Sequence, residues 1–515
     1  MAINLSKEQV HELLKTGFNA IPIFSEFLAD LETPVSLYLK LKVQNPKSKS
    51  FLLESVEGGE KLGKYSLIGL NPAAEMKVQN NICEFKPFWT EIKKLNIKLE
   101  NNLNSLEALN QFIQNFKSPN DILPFAPPGL VGALAYDIVK YIEPVPKLKV
   151  CQDSPESIFF LLGDLIVFDN LNKNLKLITN IYFPKDSTDE QVNELYNLAL
   201  ERIDNLTNLL KAELPSESRK IINNQILENK TEDKINNWSS SLSQAEFENI
   251  VLKAQEHIKA GDIFQIVLSQ QLKLKVENKN LDSLHLYRLL RNLNPSPYLF
   301  LLDFADFQLI GSSPEVMVKC FGEEKNALLR PIAGTYRRGK NDQEDLDLME
   351  KLKKDPKELA EHLMLIDLAR NDLGRVAKPS SVQLTDLMIV EKYSHVLHLV
   401  SEITCQVKPE FNVIDLLKAV FPAGTLSGSP KVKAMQIISE LEPVARGFYG
   451  GCVGYIGFNN YINTAMTIRT ILLKDNEITL QVGAGIVYDS EPSKEYQETI
   501  NKAAALLKVI EQLLA

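Results

Sequence analysis

Two Glu-x-x-Glu segments, Glu358-Leu-Ala-Glu361 and Glu495-Tyr-Gln-Glu498, stand more than a hundred positions apart in a chain of 515 residues. On a helix, residues three apart share a face, so each segment can aim two carboxylates at one point. Hard cations such as Mg²⁺ take oxygen ligands, and two such helices facing each other can hold one ion between them. Carboxylates at this spacing are more often solvated helix faces. What separates these two is their company: HLMLIDLARND (His362 to Asp372) follows the first, GAGIVYDSEPSKEY (Gly483 to Tyr496) runs through the second, and both mix apolar residues with charge.

Other chemistries are suggested by short patterns and fail on their own requirements. Gly483-Ala484-Gly485, after ITLQV, needs a third glycine at position 488 to act as a dinucleotide loop, and that residue is Tyr488. Gly450-Gly451-Cys452-Val453-Gly454 matches the G-x-C-x-G turn that carries the nucleophile of class I glutamine amidotransferases. No histidine follows His398, however, so nothing downstream can activate the thiol, and Cys452 reads as a small core residue. His395-x-x-His398 lies in YSHVLHLVSEITCQV, which reads as a strand. A strand sends positions three apart to opposite faces and denies the pair a shared zinc.

The elements that must position these residues follow from pattern. Ser243 with Glu246 forms a capping box, and Phe247, Ile250, Val251, Ala254 and Ile258 make an apolar stripe ending at Gly261, which predicts a helix. Ile263 to Val276 reads as a strand, as do FLLESVE, YSLIGL, LVGALAYDIV and SIFFLLGDLIVFD upstream. Strands and helices intermingle without a βαβ rhythm, so a mixed, largely antiparallel α+β architecture is expected rather than a doubly wound sheet. Lys211 to Trp238 is polar, Asn-rich and charged, and reads as a linker. A hydrophobic fraction of 44% with 24% charge is that of a soluble globular protein. The net charge of −9 argues against nucleic acid as the main partner. The five scattered cysteines suit a reducing compartment, and no apolar run is long enough for a membrane span. Together these predict a cytoplasmic protein with no membrane partner.

From about Ser243 to Leu514 the chain resembles the chorismate-binding domain of the chorismate-utilising enzymes. Over its whole length it is similar to the anthranilate-forming members of that family. The matching segments are DIFQIVLSQ, GSSPEVMV, RPIAGTYRRG, ELAEHLMLIDLARNDLGRV, HLVSEI, FPAGTLSGSPKVKAM, YGGCVGYIGF, AMTIRT and GAGIVYDSEPSKEYQET. The resemblance implies an α/β sandwich of large, mostly antiparallel sheets with the active site between them. It implies three regions: a regulatory one over 1–210, a linker over 211–242, and a catalytic domain over 243–515, with 285–300 contributing to the regulatory site.

Two positions separate reaction types within the family. Hydrating members carry a lysine base where this chain has Gln265, and aminodeoxychorismate synthases carry a nucleophilic lysine where it has Ala333. What remains is addition of ammonia at C2 of chorismate with loss of the 4-hydroxyl, then release of pyruvate to give anthranilate. The resemblance assigns Glu361 and Glu498 to Mg²⁺, supported by Glu358 and Glu495. It assigns Glu315 as general acid for the departing hydroxyl, which requires a pKa raised by burial. His398 assists the second step, when the C2 proton leaves. Arg469 grips the enolpyruvyl carboxylate with Tyr449 beside it, while Thr425, the backbone of Gly483, Ala484 and Gly485, and Lys502 supply further donors to carboxylate oxygens.

The N-terminal half resembles the segments that bind tryptophan as feedback inhibitor. They are Leu52, Glu54 and Ser55, then Lys64, then Asn294-Pro295-Ser296-Pro297-Tyr298, with Val453 and Tyr455 completing the pocket. Glu54 can pair with an amino group while Pro and Tyr side chains wall an indole. With no usable amidotransferase triad in the chain, a separate glutaminase subunit is implied as the ammonia source. Three rival readings share parts of the pattern: an aminodeoxyisochorismate synthase that stops after the first step, an aminodeoxychorismate synthase, and a non-catalytic chorismate or tryptophan sensor.

Overall fold

Strands from both ends of the chain build two large antiparallel sheets that pack face to face. The computed structural model describes residues 2–55, 64–120, 122–123, 128–214, 238–276, 281–393 and 396–514. The first sheet runs Ala20–Leu28, Asn174–Tyr182, Asp164–Asp169, Tyr65–Leu70, Ser50–Glu54, Tyr298–Asp303, Phe307–Ser313, Thr470–Lys474, Glu477–Ile486, Gln265–Lys275 and Ser239–Ser240. The second runs Ile332–Arg337, Val396–Gln406, Asn326–Leu329, Val316–Phe321, Ile462–Met466, Cys452–Gly457, Gly129–Leu134, Ser157–Leu161, Ala74–Gln79 and Ile82–Pro87. Ser50–Glu54 pairs with Tyr298–Asp303, and Gly129–Leu134 with Cys452–Gly457, so each sheet takes strands from both sides of the 211–242 segment. Residues 215–237 of that segment, and His395, lie outside the described residues.

Alternation along the strands decides what faces what. Phe51, Leu165, Val167, Phe300, Leu302 and Leu309 of the first sheet meet Val131, Ala133, Ile158, Phe160, Val453 and Tyr455 of the second in one apolar layer. Neighbouring positions such as Leu52, Ile68, Leu301 and Ile310 point the other way, into a core shared with helices. The period of two therefore buries both faces of these strands. Phe160, fully buried against Phe304 at 4.8 Å between ring centroids, belongs to the sheet-to-sheet layer. Truncating it to alanine costs about 3–5 kcal/mol by the large-to-small rule.

Both Glu-x-x-Glu segments are helical. Pro356–Gly374 starts at Asp355, whose side chain accepts from the amides of Lys357 (3.0 Å) and Glu358 (3.3 Å), with Pro356 at the first helical position. Its buried face, His362, Leu365, Ile366, Ala369 and Leu373, lies against the Ile332–Arg337 and Val396–Gln406 strands. Pro492–Leu514 buries Thr499, Ile500, Ala503, Leu506, Leu507 and Ile510 against the Glu477–Ile486 strand and the helices Gln244–Lys259 and Ser283–Leu293. The capping box of Ser243 and Glu246 is present, and Cys452 is buried with its thiol pushed up to about 12, an inert core residue. Among the described residues no helix is long and apolar enough to cross a membrane.

Candidate active site

The two helices bring their carboxylates into one electrostatic neighbourhood. The Glu358 carboxyl lies above its usual value, first through burial and then through repulsion from Glu361 and Asp355, with Glu498 of the other helix adding to it. Glu495 is raised in the same way, by burial and by Glu498. Gln265, 5% exposed at the start of its strand, donates to Glu361 Oε1 at 3.3 Å, and Lys502 pairs with Glu498 at 2.7 Å. Among the described residues no group of three or more His, Cys, Asp or Glu side chains converges on a metal position. A half-buried Glu361 and an exposed Glu498, backed by the partly buried Glu358 and Glu495, suit Mg²⁺, which keeps several waters and takes one or two carboxylates plus substrate oxygens.

Glu315 follows the Phe307–Ser313 strand and is 7% exposed. Burial pushes its carboxyl up to about 8, against the opposing pull of hydrogen bonds from Thr425 and the Ile332 backbone. Thr425, in the short turn Gly424–Leu426, donates to Glu315 Oε1 at 3.2 Å. At neutral pH the group is a carboxylic acid with a proton to give. It lines a narrow cleft with Thr425, Met466, Leu368 and Asp372.

His398 is held neutral. Burial takes its imidazole down to about 4; the Gly334 carbonyl opposes this, and Arg469 adds to it. Nδ1 lies 3.2 Å from the Gly334 carbonyl, so Nδ1–H donates there and the lone pair belongs to Nε2. Thr335 stands opposite His398 in the strand register, its hydroxyl 3.1 Å from the same nitrogen. Gly334 has φ +69°, and a Cβ there would stand 3.1 Å from Glu358 Oε2 and 3.2 Å from Leu399, so glycine is what lets the carbonyl turn toward the imidazole.

Arg469 has no carboxylate partner among the described residues; burial lowers its pKa, with Tyr449 the one counteracting group. It sits at φ +51°, a conformation costing roughly 1–2 kcal/mol for a residue with a side chain. Gly483 and Gly485 lie opposite Ser269 and Val267. A Cβ on Gly483 would come within 2.7 Å of the Tyr449 hydroxyl and of the Leu268 carbonyl, which explains the small residue. Ala484, between them, is fully buried and faces the Gln244–Lys259 helix layer, so its side chain is core and only its backbone can serve the site. Lys502 also donates to the Gly483 carbonyl at 3.1 Å, tying the second helix to this rim.

The expected inhibitor residues divide between the layer separating the two sheets and the outer face of the first sheet. Tyr298, Val453 and Tyr455 join Leu53, Tyr65 and Tyr461 in the layer between the sheets. Leu52 points into the opposite core, and Glu54, 5% exposed, already accepts from Tyr287 at 2.5 Å and from Arg291 at 3.1 and 3.3 Å. Glu54 therefore already has partners, and an incoming amino group would have to share or displace them. Asn294 and Ser296 are bound to Ser312, at 3.0 and 2.8 Å. Pro295 is partly exposed in the same turn, Ser55 is half-buried, and Lys64 is exposed with its ammonium 5.1 Å from the Tyr65 ring centroid. Sequence reading missed Tyr287, Arg291, Tyr461 and the buried pair of Glu442 and Arg446. That pair's spacing of four looks like any surface helix pair. A wider open cleft lined by Phe88, Trp89, Asp164 and Arg202 holds none of the expected residues, and its Arg202 is paired with Glu91 at 2.6 Å.

Residues 48–508 match the chorismate binding enzyme family, and the chain belongs to that family. It is 42% identical over 513 residues to anthranilate synthase component 1 of Aquifex aeolicus, covering 99% of this chain and 98% of that one. It is 41% identical to the protein of the same name from Synechocystis, with 98% of each chain covered. The crystal structure of anthranilate synthase component I from Streptococcus pneumoniae superposes with a TM-score of 0.73 at 31% identity, over 93% of this chain and 99% of that one. The menaquinone-specific isochorismate synthase of Escherichia coli shares the fold, with a TM-score of 0.68 at 18% identity over 98% of each chain. Within the family the chain stands on the anthranilate synthase component 1 branch, as a chorismate-using enzyme.

Proposed function

We propose that the protein converts chorismate and ammonia to anthranilate and pyruvate through 2-amino-2-deoxyisochorismate, as the first step of tryptophan synthesis. The observation that carries this reading is Glu315, a buried carboxyl hydrogen-bonded by Thr425 that keeps its proton up to about pH 8, in a site where burial also holds His398 neutral. Ammonia forms a C–N bond at C2, the ring double bonds shift, and the C4–O bond breaks. Glu315 gives its proton to the departing hydroxyl, which leaves as water, and the ammonium formed at C2 returns a proton to the Glu315 carboxylate. Neutral His398 Nε2 then takes the C2 proton, the bond between ring C3 and the enolpyruvyl oxygen breaks, the ring becomes aromatic, and the expelled enolpyruvate takes a proton at its methylene carbon to become pyruvate.

Arg469, without a carboxylate of its own, holds the enolpyruvyl carboxylate by a bidentate grip, with the Tyr449 hydroxyl alongside. Glu361 and Glu498 hold Mg²⁺, with Glu358 and Glu495 behind them; when bound, the ion supplies a fixed positive charge for the ring carboxylate. Gln265 cannot act as the base of a hydration, and Ala333 offers no amine for a covalent route. The component 1 relatives point to a second, glutaminase component as the ammonia source. The cluster of Tyr298, Val453 and Tyr455 supports a tryptophan site, in which the ligand favours an arrangement that binds chorismate less well.

The decisive experiment incubates the purified chain with chorismate, Mg²⁺ and an ammonium salt, following anthranilate fluorescence and identifying products by mass spectrometry, with EDTA as control. Metal-dependent anthranilate plus pyruvate is expected. An amino-chorismate that keeps its enolpyruvyl group as the end product, or no turnover, defeats the reading.

A further inference from the structure

Behind the proposed substrate rim lies an ion pair that touches no reacting position. Arg446 and Glu442 are 4% and 3% exposed. Arg446 Nε donates to Glu442 Oε2 at 2.9 Å and Nη2 to Oε1 at 2.6 Å. Its remaining donors reach two backbone carbonyls: Nη1 to Leu426 at 2.7 Å and Nη2 to Val267 at 2.8 Å. Glu442 Oε1 in turn accepts from the Ser269 amide at 2.7 Å and hydroxyl at 2.9 Å, and Gln481 donates to that hydroxyl at 2.9 Å. The guanidinium lies 4.7 Å from the ring centroid of Tyr136 and 5.6 Å from that of Tyr449.

Each group held here is adjacent to a residue of the site. Leu426 follows Thr425, the hydroxyl on Glu315. Val267 and Ser269 stand opposite Gly485 and Gly483. Tyr449 is the hydroxyl that a side chain at Gly483 would strike. One planar fork thus bonds the turn and the strand, beside the backbone bond from Val267 to Ser427 at 3.0 Å, and lies against the Tyr449 ring. A stem ending in a single ammonium cannot serve both carbonyls and both carboxylate oxygens in that plane. Glu442 neutralises the charge locally, so the unpaired cation at the site remains Arg469, and Arg446 supplies geometry.

We propose that Arg446, held by Glu442, is the positioning residue that sets the Thr425 turn and Tyr449 against the Gly483–Gly485 strand, so that the carboxylates of chorismate meet preplaced donors. This rests on the chorismate reading, and wild-type turnover with ammonium separates the two: if the wild type makes no anthranilate, that reading fails first. Where the wild type is active, Arg446→Lys is compared with it for kcat, for the KM of chorismate and of ammonia, and for the urea midpoint. The expected result is a folded protein whose KM for chorismate rises at least about 10-fold and whose kcat falls, with the KM for ammonia within about twofold. Should Arg446→Lys not fold, the double variant Glu442→Gln with Arg446→Gln replaces the charged pair by amides and is read in the same way. A folded variant with wild-type chorismate KM and kcat overturns the proposal. If neither variant folds, the pair is a staple of the fold and the proposal falls too.

Discussion

Thr425 Oγ1 donates to Glu315 Oε1 at 3.2 Å although 110 positions separate the two residues. The bond helps to orient the acid, together with the Ile332 amide that also reaches the carboxyl. Hydrogen bonding to a carboxylate lowers its pKa, and here burial outweighs that effect and keeps the group protonated to about pH 8.

Glu315→Gln removes the proton and keeps the shape. Its kcat with ammonium should fall by about 10²–10⁴-fold, the usual weight of a positioned general acid. For the wild type, kcat/KM measured at constant free ammonia should decline as pH rises past about 8, where the acid form is lost. Stability gives a second check of the same carboxyl. The folded state keeps a proton that the unfolded chain releases near 4.5, so this group makes the native state progressively less stable as pH rises from that value to about 8. Urea midpoints of Glu315→Gln minus wild type should therefore increase over that window; a constant difference would show that the carboxyl is not buried as an acid.

The second step isolates His398. With the Nδ1 proton on the Gly334 carbonyl and Nε2 free, His398→Ala should still add ammonia but leave an amino-chorismate carrying its enolpyruvyl group. Mass spectrometry of the products distinguishes this from a dead enzyme. Because burial and Arg469 keep the imidazole neutral down to about 4, the wild-type rate should show no inflection near the ordinary histidine value. Full anthranilate formation by the variant would remove His398 from the step.

Part of the frame around the candidate site was legible in one dimension, and the reasons are local. The Glu-x-x-Glu spacing and the capping box at Ser243 are properties of adjacent residues and lie on helices as their patterns predict, whereas Gly483 and Gly485, read as following a strand, continue it to Ile486. Residues whose meaning depends on a distant partner were not legible. Glu54 reads as a free carboxylate in LLES, yet Tyr287 and Arg291, 233 and 237 positions away, have taken it. Leu52 matches a motif but lies on the face of the first sheet turned away from Val453 of the second, because strand alternation and not motif membership decides direction. The interleaving of N- and C-terminal strands in both sheets leaves no trace in composition, since an antiparallel ladder constrains each strand's own pattern and not the identity of its neighbour.

Mg²⁺ binding can be measured without turnover. Titration calorimetry of wild type against Glu361→Gln and Glu498→Gln should show loss of the Mg²⁺ signal in both. Glu358→Gln and Glu495→Gln should weaken affinity by about 10–100-fold, the usual effect of removing a group that supports a ligand. EDTA should abolish anthranilate formation, with recovery on adding Mg²⁺. Wild-type affinity in Glu361→Gln would place the ion elsewhere.

Tryptophan should bind where Tyr298, Val453 and Tyr455 meet between the sheets, and its binding must be reciprocal with that of chorismate. Equilibrium dialysis of the wild type should show saturating tryptophan lowering chorismate affinity, and chorismate lowering tryptophan affinity by the same factor. Tyr298→Ala removes an aromatic wall and should weaken tryptophan about 10-fold, equivalent to about 1.4 kcal/mol, while uninhibited kcat stays within about twofold. Because Arg291 and Tyr287 occupy Glu54, a tryptophan ammonium must either displace them or find other acceptors. Arg291→Met separates these routes. Tighter tryptophan binding in that variant means that Glu54 receives the amine once released, whereas unchanged binding assigns the amine to other oxygens. Chorismate affinity that does not respond to tryptophan would end the regulatory reading.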